Sequence, residues 1–446
     1  MEILAFLQKN AIPVTGCTEP AAIAYAAAAA LHALSGRLPP DFSGSAGPAL
    51  TTKEIGKIEI LLDRNVFKNA GHAVVPGMDG LRGPAAAAAA GIFLDPRDGL
   101  DLLSQMTPEI RAKARVIALS DRVSCTANPH ARAESAPDIS VEVSRKTSAG
   151  AATARARIMT RHDHISYIHI GNTTVFRNPD PAGLPDEQVP NGIRELIRIA
   201  EDMGPAEIDA VYSGVEMNMN LYRACRDGEY GLRLGQHLKK ILASQKGSTS
   251  LIDNVRIAAA VAADARMGGA PYPVMSTAGS GNQGITALIP IGVVGESCHF
   301  NKQEIARAAL ISHMVTKEAD RYAGHLSALC GCSIKAGIGA AAGVAYLIGG
   351  GEAEITTAVN LMVANITGTI CDGAKPGCAL KIATAAGLAA ESAFLAAGGM
   401  KISPENGIIQ RTAEGTLRTL ELISCAMEPV DATVLRILEK KPAGLR

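Results

Sequence analysis

From about residue 248 onward, nearly every segment of this chain reads as a helix built from alanine, glycine and small aliphatic residues. LIDNVRIAAAVAADARM, QEIARAALISHMVTKEADRY, IKAGIGAAAGVAYLI, ITTAVNLMVANITG, ALKIATAAGLAAESAFLAAG and VLRILEK follow one another across Gly-containing loops. Alanine is the strongest helix former. Small side chains also let helix backbones approach closely, so the stretch predicts a tightly packed all-α unit. Aromatic residues make up only 3% of the 446 residues and tryptophan is absent, so close approach has to replace bulk.

The chain upstream has a different character. AAIAYAAAAALHAL, between Pro20 and Leu34, predicts one strong helix, with Thr18 as N-cap and Pro20 in the first turn. From Thr51 to Thr160, KIEILLDRNVF, ARVIALS, DISVEVSRK and ATARARIMT alternate apolar and polar residues as half-buried strands do. PAAAAAAGIFL predicts a helix behind the loop VVPGMDGLRGP, and HISYIHIGNTTVF predicts a hairpin. The Pro-rich PDPAGLPDEQVPNG then connects to helices at IRELIRIAEDM and RLGQHLKKILAS. Strands followed by helices predict an α+β protein. The expected organisation is an N-terminal helix (1–40) packing on the C-terminal domain, a mixed α/β domain (41–247) and an all-α, Ala/Gly-rich helical domain (248–446). No internal repeat is evident.

Charge narrows the partners. Lys+Arg and Asp+Glu both number 43, with no extended basic run to bind nucleic acid and no acidic tail. The first twenty residues lack a basic n-region followed by a long apolar core, which argues against a signal peptide. The most apolar window, Ser276 to Gly295, is broken by Gly, Asn, Gln and Pro, so no membrane span is expected. Nine cysteines in such a chain fit a reducing cytoplasm.

Four of those cysteines are grouped, as LCGC (Cys330, Cys332) and CDGAKPGC (Cys371, Cys378). A C-x6-C pair with one more distant cysteine supplies three thiolates for an iron–sulfur cluster and leaves one iron without a protein ligand. An open coordination site can act as a Lewis acid. The spacing matches no common zinc or ferredoxin pattern, and ordinary buried cysteines are the equal alternative. Cys17, in GCTEP before the first helix, would feel the positive helix end, which favours thiolate, a nucleophile or a base; a small apolar turn residue is the plainer reading.

Other motifs are weaker. DARMGG and STAGSGNQGI form a loop of small polar residues before a helix start, able to present N–H groups to an anion, with Asn282 and Gln283 as side-chain donors. RNVFKNAGHAVVPG offers Lys68 and Asn69 for a carboxylate and an amine, against the reading of a solvated turn. His162 and His164 could share a strand face and chelate zinc, although such histidines are more often surface residues. Asn218 and GEYGLRLG resemble a helix–loop bend that demands no chemistry. Lys375 and Lys381 lack the phosphate-binding context of a pyridoxal-phosphate lysine, and no nucleophile elbow anchors a Ser-His-Asp triad.

Taken in order, GCTEPAAIAYAAA, KNAGHAVVPG, ADARMGG, STAGSGNQGI, SALCGC and ICDGAKPGCALK closely resemble the iron–sulfur-dependent L-cysteine desulfidase family. The C-terminal half of that family is similar to the alpha region of iron–sulfur L-serine dehydratases. The resemblance runs from residue 17 to beyond residue 380. It implies an enzyme that converts L-cysteine to pyruvate, ammonia and hydrogen sulfide with a [4Fe–4S] cluster and no pyridoxal phosphate. Carried over by motif, it implies Cys330, Cys371 and Cys378 as cluster ligands, Cys332 as second choice within LCGC, and Cys17 as general base. Ser276, Ser280, Asn282 and Gln283 with Lys68 and Asn69 would hold the amino-acid substrate. L-serine dehydratase activity by the same elimination is the close alternative. A non-catalytic iron–sulfur sensor and a structural zinc protein are the others. A homo-oligomer is compatible with all of them. For Cys17 to reach the other cysteines, the first helix has to fold against the helical domain.

Overall fold

The computed structural model describes residues 1–43, 51–128, 137–148, 150–178, 189–244 and 249–440. It is a mixed α+β structure, as the sequence predicts. Strands β2 (Ile55–Leu62), β3 (Val123–Ala127), β4 (Asp138–Thr147), β5 (Gly150–Met159), β6 (Ile165–Ile170) and β7 (Thr173–Arg177) form one sheet in the order β3-β2-β4-β5-β6-β7. Only β2 and β3 run parallel; the remaining neighbours are antiparallel. Alternation along the strands buries Ile139, Val141 and Val143 of β4 with Ala154, Ala156 and Ile158 of β5 on one face.

Helix α2 (Thr18–Ala33) lies across that buried face, against β4, β5 and β6. On its far side sit α4 (Gly83–Gly91) and a 3-10 segment at Pro96–Gln105. A helix enclosed on all sides has to be apolar all round, which is why α2 is almost pure alanine. A Cβ on Gly91 would collide with the Ala24 carbonyl, so the α2–α4 crossing depends on glycine there. Helix α3 (Arg64–Ala70) follows β2 directly, capped by Asp63, whose carboxylate accepts from the N–H groups of Asn65 (2.8 Å) and Val66 (3.0 Å). ARVIALS, expected to be a strand, is instead the end of α5 (Pro108–Ala118). Thr107 caps that helix at the N–H of Ile110, and Pro108 suits its first turn.

The helical body comprises α6 (Ile193–Glu201), α7 (Pro205–Cys225), α8 (Leu234–Ser244), α9 (Leu251–Met267), α10 (Gly281–Ser297), α11 (Lys302–Ala323), α12 (Ile334–Leu347), α13 (Glu352–Ile366), α14 (Cys378–Ala397), α15 (Ala413–Ala426) and α16 (Glu428–Glu439). Its centre is α12, which packs against α10, α11, α13 and α14. Two expectations about packing need correction. The helical body begins near residue 193 rather than 248, because α6, α7 and α8 pack on α9, α10, α11 and α13; the boundary expected at 247/248 lies outside the described residues, as does most of the Pro-rich connection. Helix α2 packs on the sheet, not on the helical domain, since its alanine surface fills the space between sheet and α4. The apolar window from Ser276 is largely the buried helix α10, with Pro290 inside it, and α7 and α15 add helices the sequence reading did not identify.

A two-stranded pairing joins the layers. Strand β1 (Pro13–Thr15), after the short α1 (Ile3–Asn10), runs antiparallel to β8 (Pro273–Met275). On the other edge of β8, the buried Asn218 amide accepts from the Met275 N–H at 2.8 Å and donates to its carbonyl at 3.2 Å. Asn218 is therefore the middle of α7 and pins β8, where the sequence suggested a bend. The first turn of α2 is carried to the helical body through β1. Among the described residues α14 alone is long and apolar enough to cross a membrane, and here it packs against α9, α12 and α13.

Candidate active site

The two cysteine segments are clamped side by side. The Cys330 N–H donates to the Thr369 carbonyl at 2.9 Å, the Cys371 N–H donates to Ala328 at 2.7 Å, and Leu329 bridges to Ile370 between them. Cys378 is the first residue of α14. Gly373, in the turn between Cys371 and Cys378, has φ +88°, and a Cβ there would lie 2.5 Å from the Lys68 carbonyl. Glycine lets this turn dock on α3. Cys330, Cys332, Cys371 and Cys378 all line one cavity, with the Sγ atoms of Cys330 and Cys332 3.4 Å apart.

The opposite wall comes from α2, α9 and α10. Cys17 occupies the N-cap position of α2, one residue earlier than the Thr18 cap expected, and its thiol contacts Met267 Sδ at 3.5 Å. The displaced Thr18 hydroxyl is left buried without a partner. Ser280 caps α10, accepting from the Gln283 N–H at 3.5 Å. Asn282 accepts from Arg266 Nη1 at 2.7 Å through Oδ1, and its amide faces Met267 Sδ at 3.2 Å. Thr286, a turn further along α10, donates to the Cys332 carbonyl at 2.8 Å and so ties this wall to the thiol turn.

Of the residues expected to bind substrate, Lys68, Asn69, Ser280, Asn282 and Gln283 line the cavity with the cysteines. Ser276 does not: its hydroxyl accepts from the Ile12 N–H at 3.0 Å and secures the β1–β8 pairing. Lys68 lines the cavity but its ammonium lies 2.6 Å from Asp431 of α16, a carboxylate already in place. Asn69 donates to Glu19 at 2.9 Å. Lys375 and Lys381 both pair with Asp372 at 2.5 Å.

The sequence reading missed several residues of this cavity. Arg266, in the quoted DARMGG, is the one cation in the buried run of α9; that position within an apolar helix was the available signal. His325 also lines the cavity. Its Nδ1 lies 3.2 Å from Asp320, and Asp320 is paired at 2.7 Å with the buried Lys335, which also donates to the carbonyl of Gly324 at 2.5 Å. Burial opposes charge on Asp320, yet Lys335 and His325 together hold its carboxyl well below the usual range. His162 is buried against His325, with ring centroids 6.0 Å apart, rather than on the surface; burial pushes it down to about 4.

The thiols differ sharply in acidity. Hydrogen bonding from Cys332 holds Cys378 down at about 6 against the effect of burial, helped by Lys375 and Lys381. Cys332 keeps its one S–H proton, shared between Cys378 and the Cys330 sulfur 3.4 Å away, and is raised, while that sharing lowers Cys330. Burial raises Cys371 to about 11. It also raises Cys17 to about 12, with only Arg266 pulling down. The expectation that the helix end would make Cys17 a thiolate is therefore corrected: desolvation outweighs the dipole.

Four soft donors facing one cavity, two with lowered pKa, suit a thiolate-bound iron–sulfur group. Among the described residues no three His, Cys, Asp or Glu side chains converge to hold a single metal ion. Buried polar atoms without partners collect at the same place: Thr18 Oγ1, His162 Nε2, Arg266 Nε, Gln283 Oε1 and Ser327 Oγ all belong to residues of this cavity wall. Such atoms are uncommon in folded proteins, and a small polar ligand in this cavity would satisfy them.

An α+β fold that gathers four thiols and several orphaned polar atoms at one cavity is of the kind suited to a soft-metal group and a small polar ligand. The family described as serine dehydratase alpha chain matches residues 97–436, and the chain belongs to that family. It is 33% identical to a UPF0597 protein of Desulfatibacillum aliphaticivorans, over 96% of both chains. It is 34% identical to a UPF0597 protein of Clostridium perfringens strain SM101, over 98% of both. A UPF0597 protein of Desulfotalea psychrophila is 30% identical over 96% of this chain and 95% of its own.

Proposed function

We infer that the protein is an iron–sulfur-dependent lyase that eliminates the β-substituent of a small L-amino acid, with L-cysteine as substrate and pyruvate, ammonia and hydrogen sulfide as products. The observation that carries this reading is the meeting of Cys330, Cys371 and Cys378 with Cys17 around one cavity. Cys330, Cys371 and Cys378 would hold a [4Fe–4S] cluster, with Cys332 beside Cys330 as the alternative ligand. Bound there, the cluster supplies a Lewis-acidic iron that draws charge from the departing group.

The chain's own residues account for the rest. Cys17, as thiolate, takes the Cα proton onto Sγ. The Cα–H electron pair becomes a Cα=Cβ bond, and the Cβ–S pair leaves with sulfur as hydrosulfide. The resulting aminoacrylate tautomerises and adds water, giving pyruvate and ammonia. Since burial keeps Cys17 protonated even with Arg266 nearby, its activation has to come from further positive charge, which the ammonium of a bound amino acid supplies. Asn69, Ser280, Asn282 and Gln283 orient the substrate's polar groups. Enclosure by both walls limits water at the reacting carbon.

Serine is the second reading, favoured by the description of the family the chain belongs to. There the β-hydroxyl leaves in place of sulfur. We place this chemistry in the cytoplasm, the reducing compartment in which grouped thiols stay available to a metal. The test is purification without oxygen, a visible spectrum with iron analysis, and assays of sulfide and pyruvate from L-cysteine and L-serine. A brown, iron-containing protein that releases pyruvate is expected. An iron-free protein of full activity contradicts the cluster, and a brown protein that acts on neither amino acid contradicts the lyase.

A further inference from the structure

Four Lys or Arg residues are buried among the described residues: Arg37, Lys68, Arg266 and Lys335. Three of them have a carboxylate. Arg37 meets Asp95 at 3.2 Å, Lys68 meets Asp431 at 2.6 Å and Lys335 meets Asp320 at 2.7 Å. Arg266, 3% exposed, has none among the described residues. Its Nη1 donates to the neutral Asn282 amide at 2.7 Å and approaches Met267 Sδ at 3.9 Å, while Nε is buried without a partner. An unpaired buried charge is strongly unfavourable, so this guanidinium is built for an anion that arrives from outside.

Its position says the same. A Cβ placed on Gly281 would lie 2.5 Å from Arg266 Nε and 2.7 Å from both Cζ and Nη2. The guanidinium therefore packs on the first residue of α10, where the helix presents its own positive end. Two positive features share one spot in the cavity wall, and the side chain that holds Arg266 in place, Asn282, adds no negative charge. A guanidinium fork matches a carboxylate in two parallel hydrogen bonds, which an ammonium does not. The orphaned Gln283 Oε1, one residue beyond Asn282, is an acceptor suited to an ammonium.

The geometry points to Arg266, seated at the start of α10, as the residue that binds the α-carboxylate of the amino-acid substrate. This rests on the lyase reading above and gives the carboxylate role to Arg266 instead of Lys68, whose charge Asp431 already meets.

The test is calorimetric titration of the whole, anaerobically purified protein with three probes that lack a leaving group: L-alanine, L-alaninamide and propionate. Wild type should bind L-alanine and, more weakly, propionate. Arg266→Gln should weaken L-alanine roughly 10- to 100-fold, as expected for losing charge-assisted hydrogen bonds, and leave L-alaninamide unchanged. Arg266→Lys keeps the charge without the fork and should fall between the two, which supplies an answer if the Gln variant does not fold. Unchanged L-alanine affinity in either variant overturns the assignment. So does a wild type that binds neither L-alanine nor propionate. Arg266-dependent propionate binding with no amino-acid binding supports the anion seat and overturns the lyase reading instead.

Discussion

Cys17 and Cys378 each sit at the start of a helix, α2 and α14, and both are buried in the wall of one cavity. Their acidities nonetheless lie at opposite ends of the thiol range, about 12 and about 6. Cys378 has a hydrogen bond from Cys332 and two lysines nearby; Cys17 has a thioether contact and one distributed charge from Arg266. Helix ends favour a thiolate only weakly, and in a dry site specific donors decide. Under the proposed function the low value suits Cys378 to a metal ligand, while Cys371, raised to about 11 by burial, would give up its proton only to the metal itself.

The contrast breaks most completely if the acidic side is removed. Cys378→Ala should reduce bound iron and visible absorbance to near background and abolish pyruvate release, read by iron analysis and a coupled assay. Next in size is the support behind the thiol turn. Asp320→Ala strands the buried Lys335 charge and should cost about 3–5 kcal/mol of folding stability, measured by urea denaturation. The Cys17 side is tested by alkali. Because its folded-state pKa of about 12 exceeds the ordinary 9.0, the unfolded chain loses its proton first as pH rises. Stability from this group is thus fully present below pH 9 and declines between 9 and 12, by up to about 1.4 kcal/mol per pH unit. Cys17→Ser should flatten that part of the pH–stability curve. The smallest effect is expected for Lys381→Ala. In protein freed of metal by a chelator, alkylation of Cys378 by iodoacetamide at pH 6, where its thiolate fraction is most sensitive, should slow by up to about twofold.

Much of this was legible in the chain. Period-two alternation located β2, β4 and β5, and alanine content located α2, α4 and the C-terminal helices. The alternation in ARVIALS misleads because Thr107 and Pro108, the helix start, lie outside the seven residues that look like a strand. The domain boundary was misplaced because composition changes at the first alanine-rich helix, while α6, α7 and α8 join the helical body through tertiary packing that composition does not encode. Spacing brought out Cys330, Cys332, Cys371 and Cys378 as a group. Arg266 and the Asp320–His325 pair escaped, since their meaning lies in burial and in which partners the folded chain supplies, neither of which spacing encodes. Ser276 shows the reverse error: a loop serine that looks like a ligand but closes a strand pair.

The central claim, a base set against a thiol-held cluster, is tested most directly by Cys17→Ser purified without oxygen beside wild type. The variant should keep wild-type iron content and visible spectrum while pyruvate release falls on the order of 10²- to 10⁴-fold, the usual contribution of a positioned proton acceptor. Undiminished turnover in a variant that retains its iron would contradict the account.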